Sequence, residues 1–523
     1  MAETLKIVPY DTTLRDGAQD ARARLSVKKK LKIAQRLDQL RFPFIEGGWP
    51  GANEIDTEFF RQARGMFENS QFVAFGMTAR IGGRPENDDG LNALLESGTN
   101  FITIFGKTWE THVQNALRAP SYKNLDTIFE SVRFLKAEGR EVIFDAEHWF
   151  SGYRENPDYA LECLEAAEAA GARTLVLCDT NGGSNHRFVE SGVKAARSRF
   201  PDTELGIHVH NDSALAVINT IVAVEAGVIQ VQGTINGSGE RAGNVDLCQV
   251  LPTAEFKYEI PSGIDLRTLT KASRFVESIN EIPVPDNTPY VGRNAFAHKG
   301  GVHQSGQRRA DKRQASDEAA YEHIEPALVG NKRIYIMSEQ GGSTNIEIMA
   351  EKHGFQVDRT DPLFTLLVEK MKQKGIFGDA QEYLLLYETL TNEQIPFDVL
   401  ESRVVDERGR DPEASIRVRV NGDTLHEANL GKGLINAFDN ALRKALLQKY
   451  KEVADITLVP GSYRVTLPMG DSDSAAEVEV YAEFAADGQQ WSSRVRGTDQ
   501  QRAGEDTFIQ AYQYYILRRR SGF

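Results

Sequence analysis

Gly206-Ile207-His208-Val209-His210-Asn211-Asp212 is the stretch around which this chain is organised. Apolar residues alternate with two histidines, which is the period of a β-strand, so both imidazoles point to one face of that strand. Two nitrogen donors on one face suit a bound metal ion, although two unrelated polar residues at a strand end are an equally good interpretation. The sequence on either side of this stretch decides between the two.

Seven further apolar runs precede or follow this strand, and each ends in a polar or glycine-containing segment. They begin at Leu5, Phe44, Phe72, Phe101, Glu141, Thr174 and Val228, with helical patterns such as Leu125 to Glu138 between them. Eight strands alternating with helices predict a (β/α)8 TIM barrel. Its chemistry is expected at the carboxyl ends of the strands, where these polar residues follow: Asp11, Arg15, Asp16, Glu46, Glu147, Asp179, Thr180, His208, His210, Glu240 and Asn244.

Composition excludes several classes of protein. The chain has 523 residues, too many for one core, and its formal net charge of −14 argues against a nucleic-acid or anionic-membrane partner. Three cysteines, Cys163, Cys178 and Cys248, lack the spacing of a disulfide framework or a zinc site. No apolar run approaches the roughly 18 residues of a membrane span, and no targeting pattern is visible. We therefore expect a cytoplasmic protein of two or three domains.

The predicted barrel mouth collects a mixed set of oxygen and nitrogen donors: a carboxylate after strand one, two imidazoles on strand seven and an amide after strand eight. Such a set, with open positions for water or substrate, suits a divalent ion such as Mn²⁺, Mg²⁺, Co²⁺ or Zn²⁺, which polarises a carbonyl group. Arg15 is in place to stabilise an oxyanion, and the alternative is a structural ion pair. Glu147 fits a base, a residue that orients another group, or a carboxylate without a role.

Three segments carry a resemblance to a known family: Asp11 to Gln19 (DTTLRDGAQ), His208 to Asp212 (HVHND) and Gly237 to Asn244 (GSGERAGN). In order and separation they resemble the signatures of the Claisen-condensing acyl-CoA metalloenzymes. These are the isopropylmalate, homocitrate and citramalate synthases and their lyase relatives. Phe105 to Trp109, Asn294 to His303 and Tyr321 to Ile324 are most similar to the citramalate synthase branch. The resemblance extends over essentially the whole chain.

The resemblance implies condensation of pyruvate with acetyl-CoA, followed by thioester hydrolysis that yields (R)-citramalate and free CoA. It implies metal ligands at Asp16, His208, His210 and Asn244, substrate binding by Arg15, Thr180 and Gln19, and catalysis by Arg15, Glu147, His303 and Tyr321. A positioned base is needed to remove a methyl proton from the thioester. The resemblance assigns this proton removal to Glu147 and His303. Because a Gly300-Gly301 hinge precedes His303, we hypothesise that His303 acts at the barrel mouth, of its own chain or of a partner subunit.

A proline-rich break from Pro283 to Pro289 predicts a barrel over residues 1–285. Residues 286–390 are predicted to form a smaller, mostly helical linker region that packs, supports dimerisation and closes over the active site. In residues 391–523 strands followed by an amphipathic helix occur twice, which indicates an internal duplication. This part resembles the α+β regulatory domain of the same synthases and implies a homodimer, or a dimer-based oligomer, under feedback control by isoleucine. The loop from Gly497 to Gly504 departs from the usual small-residue loop.

Three alternative functions stay open. A 2-isopropylmalate synthase differs in its keto acid pocket, which for pyruvate holds only a methyl group. Phe75, Met77 and Phe105 are in place to narrow such a pocket, although core packing explains each of them equally well. A lyase or aldolase on the same metal site has no evident need of the duplicated domain. A non-catalytic amino-acid sensor would require broken metal ligands, and all four are present.

Overall fold

The computed structural model of the protein describes residues 5–300, 303–307, 310, 321–336, 343–374, 378–391, 393–467 and 477–521. The chain divides into two compact units. The first runs to Phe296 and includes Ile324–Lys332, and the second comprises Ala297–His323 and everything from Arg333 onward. The division into 1–285, 286–390 and 391–523 stays a prediction. Among the helices that the structure describes, none is long and apolar enough to cross a membrane.

Eight parallel strands in the first unit close into a barrel, which confirms the predicted fold class. The strands are β1 Val8–Asp11, β2 Phe44–Gly48, β3 Gln71–Met77, β4 Phe101–Lys107, β5 Glu141–Glu147, β6 Thr174–Asp179, β7 Glu204–Val209 and β8 Gln230–Gly233. Each strand pairs with the next in sequence, and β8 pairs with β1 to close the ring. The barrel interior is filled by Tyr10, Val73, Phe101, Ile143, Val176 and Cys178, so it is a packed core rather than a channel.

Helices surround the barrel: Val27–Gln39, Glu54–Ala63, Asp89–Glu96, Ser121–Ala137, Trp149–Glu155, Pro157–Ala169, His186–Arg199, Ala216–Glu225, Leu247–Tyr258 and Leu269–Asn280. The first begins at Ser26, whose side chain accepts a hydrogen bond from Lys29 N, and it buries Ile33, Ala34 and Leu37 at helical spacing. Such amphipathic helices cover the outer face of the parallel strands. The apolar strands are therefore buried on both faces, which explains why they are recognisable as continuous apolar runs.

The second unit combines helices with two antiparallel sheets. Helices Ser343–His353, Pro362–Lys374 and Asp379–Leu390 come first, with the short parallel strands β9 Ala297–His298 and β10 Ile334–Tyr335. Strands β11 Phe397–Val405, β12 Glu413–Val420 and β13 Asp423–Leu430 form one sheet, followed by helix Leu434–Leu446. Strands β14 Thr457–Leu458, β15 Arg464–Thr466, β16 Val478–Ala486 and β17 Gln489–Gly497 form the other, followed by helix Gln500–Arg520.

The last helix begins six residues earlier than the sequence predicts. The sequence pattern predicts a helix from Asp506 to Arg520. In the structure the Asp499 side chain accepts a hydrogen bond from Arg502 N and starts the helix at Gln500. A Cβ atom on Gly504 would lie 2.6 Å from Ile435 Cδ1. Gly504 therefore lies inside the helix and packs closely against Ile435 of the preceding helix, despite the low helix propensity of glycine.

Candidate active site

Three side chains with metal-ligating atoms meet at the carboxyl ends of β1 and β7. Asp16 lies in the turn after β1, where its amide donates to Thr12 O at 2.9 Å. His208 Nε2 lies 3.5 Å from Asp16 Oδ2 and 3.4 Å from His210 Nε2. The side chains of all three are buried. The structure therefore brings together three of the four residues that the resemblance implies as ligands, with their donor atoms facing one another.

Asn244, the fourth of these residues, reaches the same cluster from the loop after β8. Its Nδ2 donates to Asp16 Oδ1 and to Ser238 O, each at 3.0 Å. Its Oδ1 is buried and has no hydrogen-bond partner within the described part of the chain. Because the amide nitrogen rather than the oxygen faces Asp16, the ligand role of Asn244 stays a prediction.

Glycines allow this loop to fold tightly around Asn244. Gly243 has φ +88°, and a Cβ atom there would lie 1.9 Å from Gly237 O. Gly239 has φ +157°, and a Cβ atom there would lie 2.3 Å from Asn244 Nδ2. Neither position has room for a side chain, so the loop holds Asn244 against Asp16 only with glycine at both.

The donor set fits a divalent cation. Two nitrogens bound to one ion at about 2.1 Å, at octahedral to tetrahedral angles, are about 3.0 to 3.4 Å apart, and the two Nε2 atoms are 3.4 Å apart. Burial lowers the pKa of His208, and burial followed by the neighbouring His208 lowers the pKa of His210 to about 4, so both imidazoles are neutral. Burial alone would raise the pKa of Asp16, but the charged Arg15 guanidinium beside it holds it well below its usual range. One carboxylate and two neutral imidazoles are the protonation states that metal binding requires.

Arg15 is fixed beside this cluster by contacts on three sides. Its Nη1 donates to Asp16 Oδ2 at 2.7 Å, its Nε pairs with Glu46 Oε1, and its guanidinium carbon lies 3.7 Å from the centre of the Phe75 ring. Burial opposes the charge, but Glu46 and Asp16 raise the pKa of Arg15, so the guanidinium stays charged. The sequence placed Glu46 at the mouth without a role, and the structure shows that it orients Arg15.

The other predicted residues of the barrel lie along the same mouth. Glu147 at the end of β5 forms an ion pair with Lys107, which the sequence analysis did not single out. Thr180 Oγ1 accepts a hydrogen bond from His148 N at 2.8 Å. Gln19 ends a short 3-10 helix, and its side chain is exposed. The catalytic and substrate-binding roles of these three residues stay predictions.

His303 and Tyr321 lie in the second unit and contact each other. Their rings stack with centroids 4.3 Å apart and an interplanar angle of 17°. Both side chains are exposed. Gly301 of the hypothesised hinge lies outside the described residues. The structure therefore joins His303 with Tyr321 and leaves their catalytic roles as predictions.

An aromatic cluster lies next to the Arg15 guanidinium. Phe75 and Phe105 stack with centroids 5.6 Å apart, and Trp49 packs edge-on against both at 5.8 and 5.7 Å. Met77, in contrast, is 37% exposed. The sequence pattern indicates the two phenylalanines but not Trp49, because Trp49 follows a strand that ends in glycine and belongs to no apolar period.

Three family models match consecutive parts of the chain. HMGL-like matches residues 6–276, the homocitrate synthase post-HMGL domain-like model matches residues 290–376, and the LeuA allosteric (dimerisation) domain matches residues 377–516. They account for the barrel, for the region after it and for most of the duplicated part.

Individual relatives match almost end to end. The (R)-citramalate synthase of Synechocystis sp. is 42% identical over 508 residues, with 92% of this chain and 91% of that protein covered. The (R)-citramalate synthase of Aquifex aeolicus is 41% identical, with 94% of this chain and 94% of that protein covered. The (R)-citramalate synthase of Geobacter sulfurreducens is 40% identical, with 92% of this chain and 92% of that protein covered. On the strength of these matches and of the closed barrel, this chain belongs to the (R)-citramalate synthase family, with a catalytic barrel of the HMGL-like type.

Proposed function

We propose that this protein is an acyltransferase that condenses pyruvate with acetyl-CoA and water to give (R)-citramalate and CoA. The observation that carries the proposal is the buried cluster of Asp16, His208 and His210 with the charged Arg15 in contact with it. A keto acid needs positive charge at the oxygen that becomes an alkoxide, and this cluster provides the place for it. The full-length similarity to (R)-citramalate synthases supports the choice of substrates.

Asp16, His208 and His210, with Asn244 as the fourth candidate, would hold a divalent ion, Mn²⁺, Mg²⁺, Co²⁺ or Zn²⁺. When bound, such an ion supplies Lewis-acid polarisation of the keto acid. Arg15 adds a permanent charge in a site shielded from water, where electrostatic stabilisation is stronger than in solution. Because Thr180 Oγ1 already accepts the His148 amide hydrogen, its own hydroxyl hydrogen is available to a substrate carboxylate.

Glu147 and His303 are proposed to remove a proton from the acetyl methyl group, with Glu147 as the base. Tyr321 is proposed to position the water molecule. The methyl carbon then bonds to the keto carbon of pyruvate, and the resulting alkoxide takes up a proton. Water cleaves the thioester, so that CoA leaves as the thiol. The ion pair with Lys107 holds the Glu147 carboxylate at the end of β5.

The C-terminal part of the second unit is proposed to join two chains and to bind isoleucine as a feedback effector. The match to the LeuA allosteric (dimerisation) domain and the twofold order of sheet and helix support this assignment. A citramalate-forming enzyme under such control would act in the cytoplasm at the entry to isoleucine biosynthesis. Adding isoleucine to the assay of thiol release from acetyl-CoA and pyruvate tests the regulatory part of the proposal: isoleucine should lower the rate.

The keto acid assay tests the substrate assignment. With acetyl-CoA and thiol release as the readout, pyruvate should be preferred over 2-oxoisovalerate and 2-oxoglutarate. Replacing Trp49 by leucine should open space beside Phe75 and Phe105. The ratio of kcat/KM for 2-oxobutyrate, which is one methylene longer, to kcat/KM for pyruvate should then rise by about tenfold, since one methylene is worth about 1–3 kcal/mol. Phe67→Leu is the matched control, because Phe67 stacks on Phe72, away from Arg15. Preference of the native enzyme for 2-oxoisovalerate or 2-oxoglutarate over pyruvate would overturn the assignment.

A mixing experiment tests whether His303 acts on the partner subunit. His303→Ala and Asp16→Ala chains should each be inactive alone, because each lacks one part of every site. Unfolding and reassociating them together should restore about a quarter of native activity, since half of the twofold dimers are then mixed and each has one complete site. Absence of recovery, with mixed dimers demonstrated by two different affinity tags, would show that His303 serves its own chain.

A further inference from the structure

A chain of hydrogen bonds crosses the barrel interior and ends at one of the candidate metal ligands. His208 Nδ1 lies 2.9 Å from Gln232 Oε1, and Gln232 Nε2 donates to Asp145 Oδ1 at 3.0 Å. The three residues lie on β7, β8 and β5, and none is more than 5% exposed. His208 and Gln232 are also register partners in adjacent strands, so the sheet itself keeps their side chains side by side. Neither Gln232 nor Asp145 takes part in the proposed reaction.

The surroundings of Gln232 determine which way its amide points. Its nitrogen faces two acceptors, Asp145 Oδ1 at 3.0 Å and Gln230 Oε1 at 3.4 Å. Asp145 Oδ1 accepts this bond whether or not a proton resides on the other carboxyl oxygen. A reversed amide would place its oxygen against the Gln230 oxygen, and it would keep a hydrogen bond to Asp145 only if Oδ1 itself carried a proton and donated it. The amide oxygen therefore faces His208.

This orientation decides where the His208 ring carries its hydrogen. An amide oxygen only accepts, so Nδ1 must be the protonated nitrogen, and the single N–H of a neutral imidazole is then used. The lone pair is left on Nε2, the atom that faces Asp16 and His210. Asp16 Oδ2, an acceptor 3.5 Å from Nε2, favours the opposite tautomer. His210 Nε2, 3.4 Å from Nε2, donates or accepts according to its own tautomer. The contact with Gln232 is the shortest of the three contacts of the His208 ring nitrogens.

We propose that Gln232 is a positioning residue that holds His208 in the Nδ1–H tautomer and so keeps the Nε2 lone pair available to a metal ion. Asp145 and Gln230 act one step further away, by fixing the Gln232 amide. The proposal rests on the ligand role proposed above for His208. It requires neither a particular keto acid nor activity, because the tautomer exists in the metal-free protein.

The tautomer is measured directly by solid-state nitrogen NMR of metal-free protein labelled with ¹⁵N at histidine. The His208 signals are assigned from the spectrum of a His208→Gln variant. In the native protein Nδ1 should carry the proton and Nε2 should not. In Gln232→Met, which keeps the side-chain length but removes the amide, the proton should move to Nε2. Gln232→Glu should retain the Nδ1–H form, because a carboxylate oxygen still accepts from it.

Metal affinity provides the second readout, with Mn²⁺ alone in competition with a chelator. Gln232→Met should weaken binding about 10- to 100-fold, the usual effect of removing a partner that orients a metal-ligating histidine, whereas Gln232→Glu should restore most of it. Asn124→Leu is the matched control: it removes a buried amide that donates to Lys107 O and Tyr159 OH, and it should leave both readouts unchanged. An Nε2–H tautomer in the native protein, or an unchanged tautomer and affinity in Gln232→Met, would overturn the proposal. The native spectrum decides even if Gln232→Met fails to fold.

Discussion

Replacing His208 by alanine is expected to remove the bound metal and to lower turnover by about three orders of magnitude. The cluster offers two neutral imidazoles and one carboxylate, so the change removes one of three donors. Lewis-acid stabilisation is worth several kcal/mol, and each 1.4 kcal/mol corresponds to a tenfold change in rate. Metal content after dialysis and thiol release from acetyl-CoA with pyruvate are the two measurements.

The barrel of this variant should stay folded, because His208 lies at the end of β7 and the apolar filling of the barrel does not involve it. His186→Ala is the control, since His186 is an exposed residue at the start of a helix. This control should keep its metal and its rate. Normal metal content in a folded His208→Ala protein would remove the central part of the proposed function.

Replacing Arg15 by lysine is expected to lower kcat by about 10²- to 10³-fold, the usual cost of losing one preorganised group that stabilises an oxyanion. Lysine keeps the positive charge but has a single ammonium group, so it does not bridge Glu46 and Asp16 as the planar guanidinium does. Removing the charge altogether, as in Arg15→Met, would leave two buried carboxylates without their partner at a cost of about 3–5 kcal/mol. Lysine is therefore the variant that separates catalysis from folding.

This variant also decides between the two roles that the sequence left open for Arg15. A purely structural ion pair predicts a lower unfolding temperature with kcat unchanged. A catalytic role predicts a lower kcat, with a KM for pyruvate that changes less. Arg22→Lys is the matched control, because Arg22 pairs with Asp20 in the same loop but its side chain is 65% exposed. Exposed pairs contribute about 0–1 kcal/mol, so the control should resemble the native enzyme in both rate and stability.

The fold was largely predictable from sequence because its signals are local. A strand buried on both faces is a continuous apolar run, and its end is marked by glycine or a polar residue within a few positions. The alternation in Gly206 to Asp212 predicted a strand with both imidazoles on one face, and β7 ends at Val209 with His208 and His210 near Asp16. The start of the last helix was predicted wrongly, because the Asp499 side chain caps the helix at Gln500 and Gly504 is accommodated inside it.

The sequence by itself determined which kinds of donor the barrel mouth contains: Asp16 after the first strand and two histidines on the seventh. The tertiary structure decided which groups hold them in place, namely Glu46 against Arg15, Gln232 against His208 and Trp49 against Phe75. The physical reason is that these partners lie on different strands or loops. Barrel closure and strand register decide which side chains of different strands lie at the same height along the barrel axis. Periodicity within one segment carries no information about the register between segments.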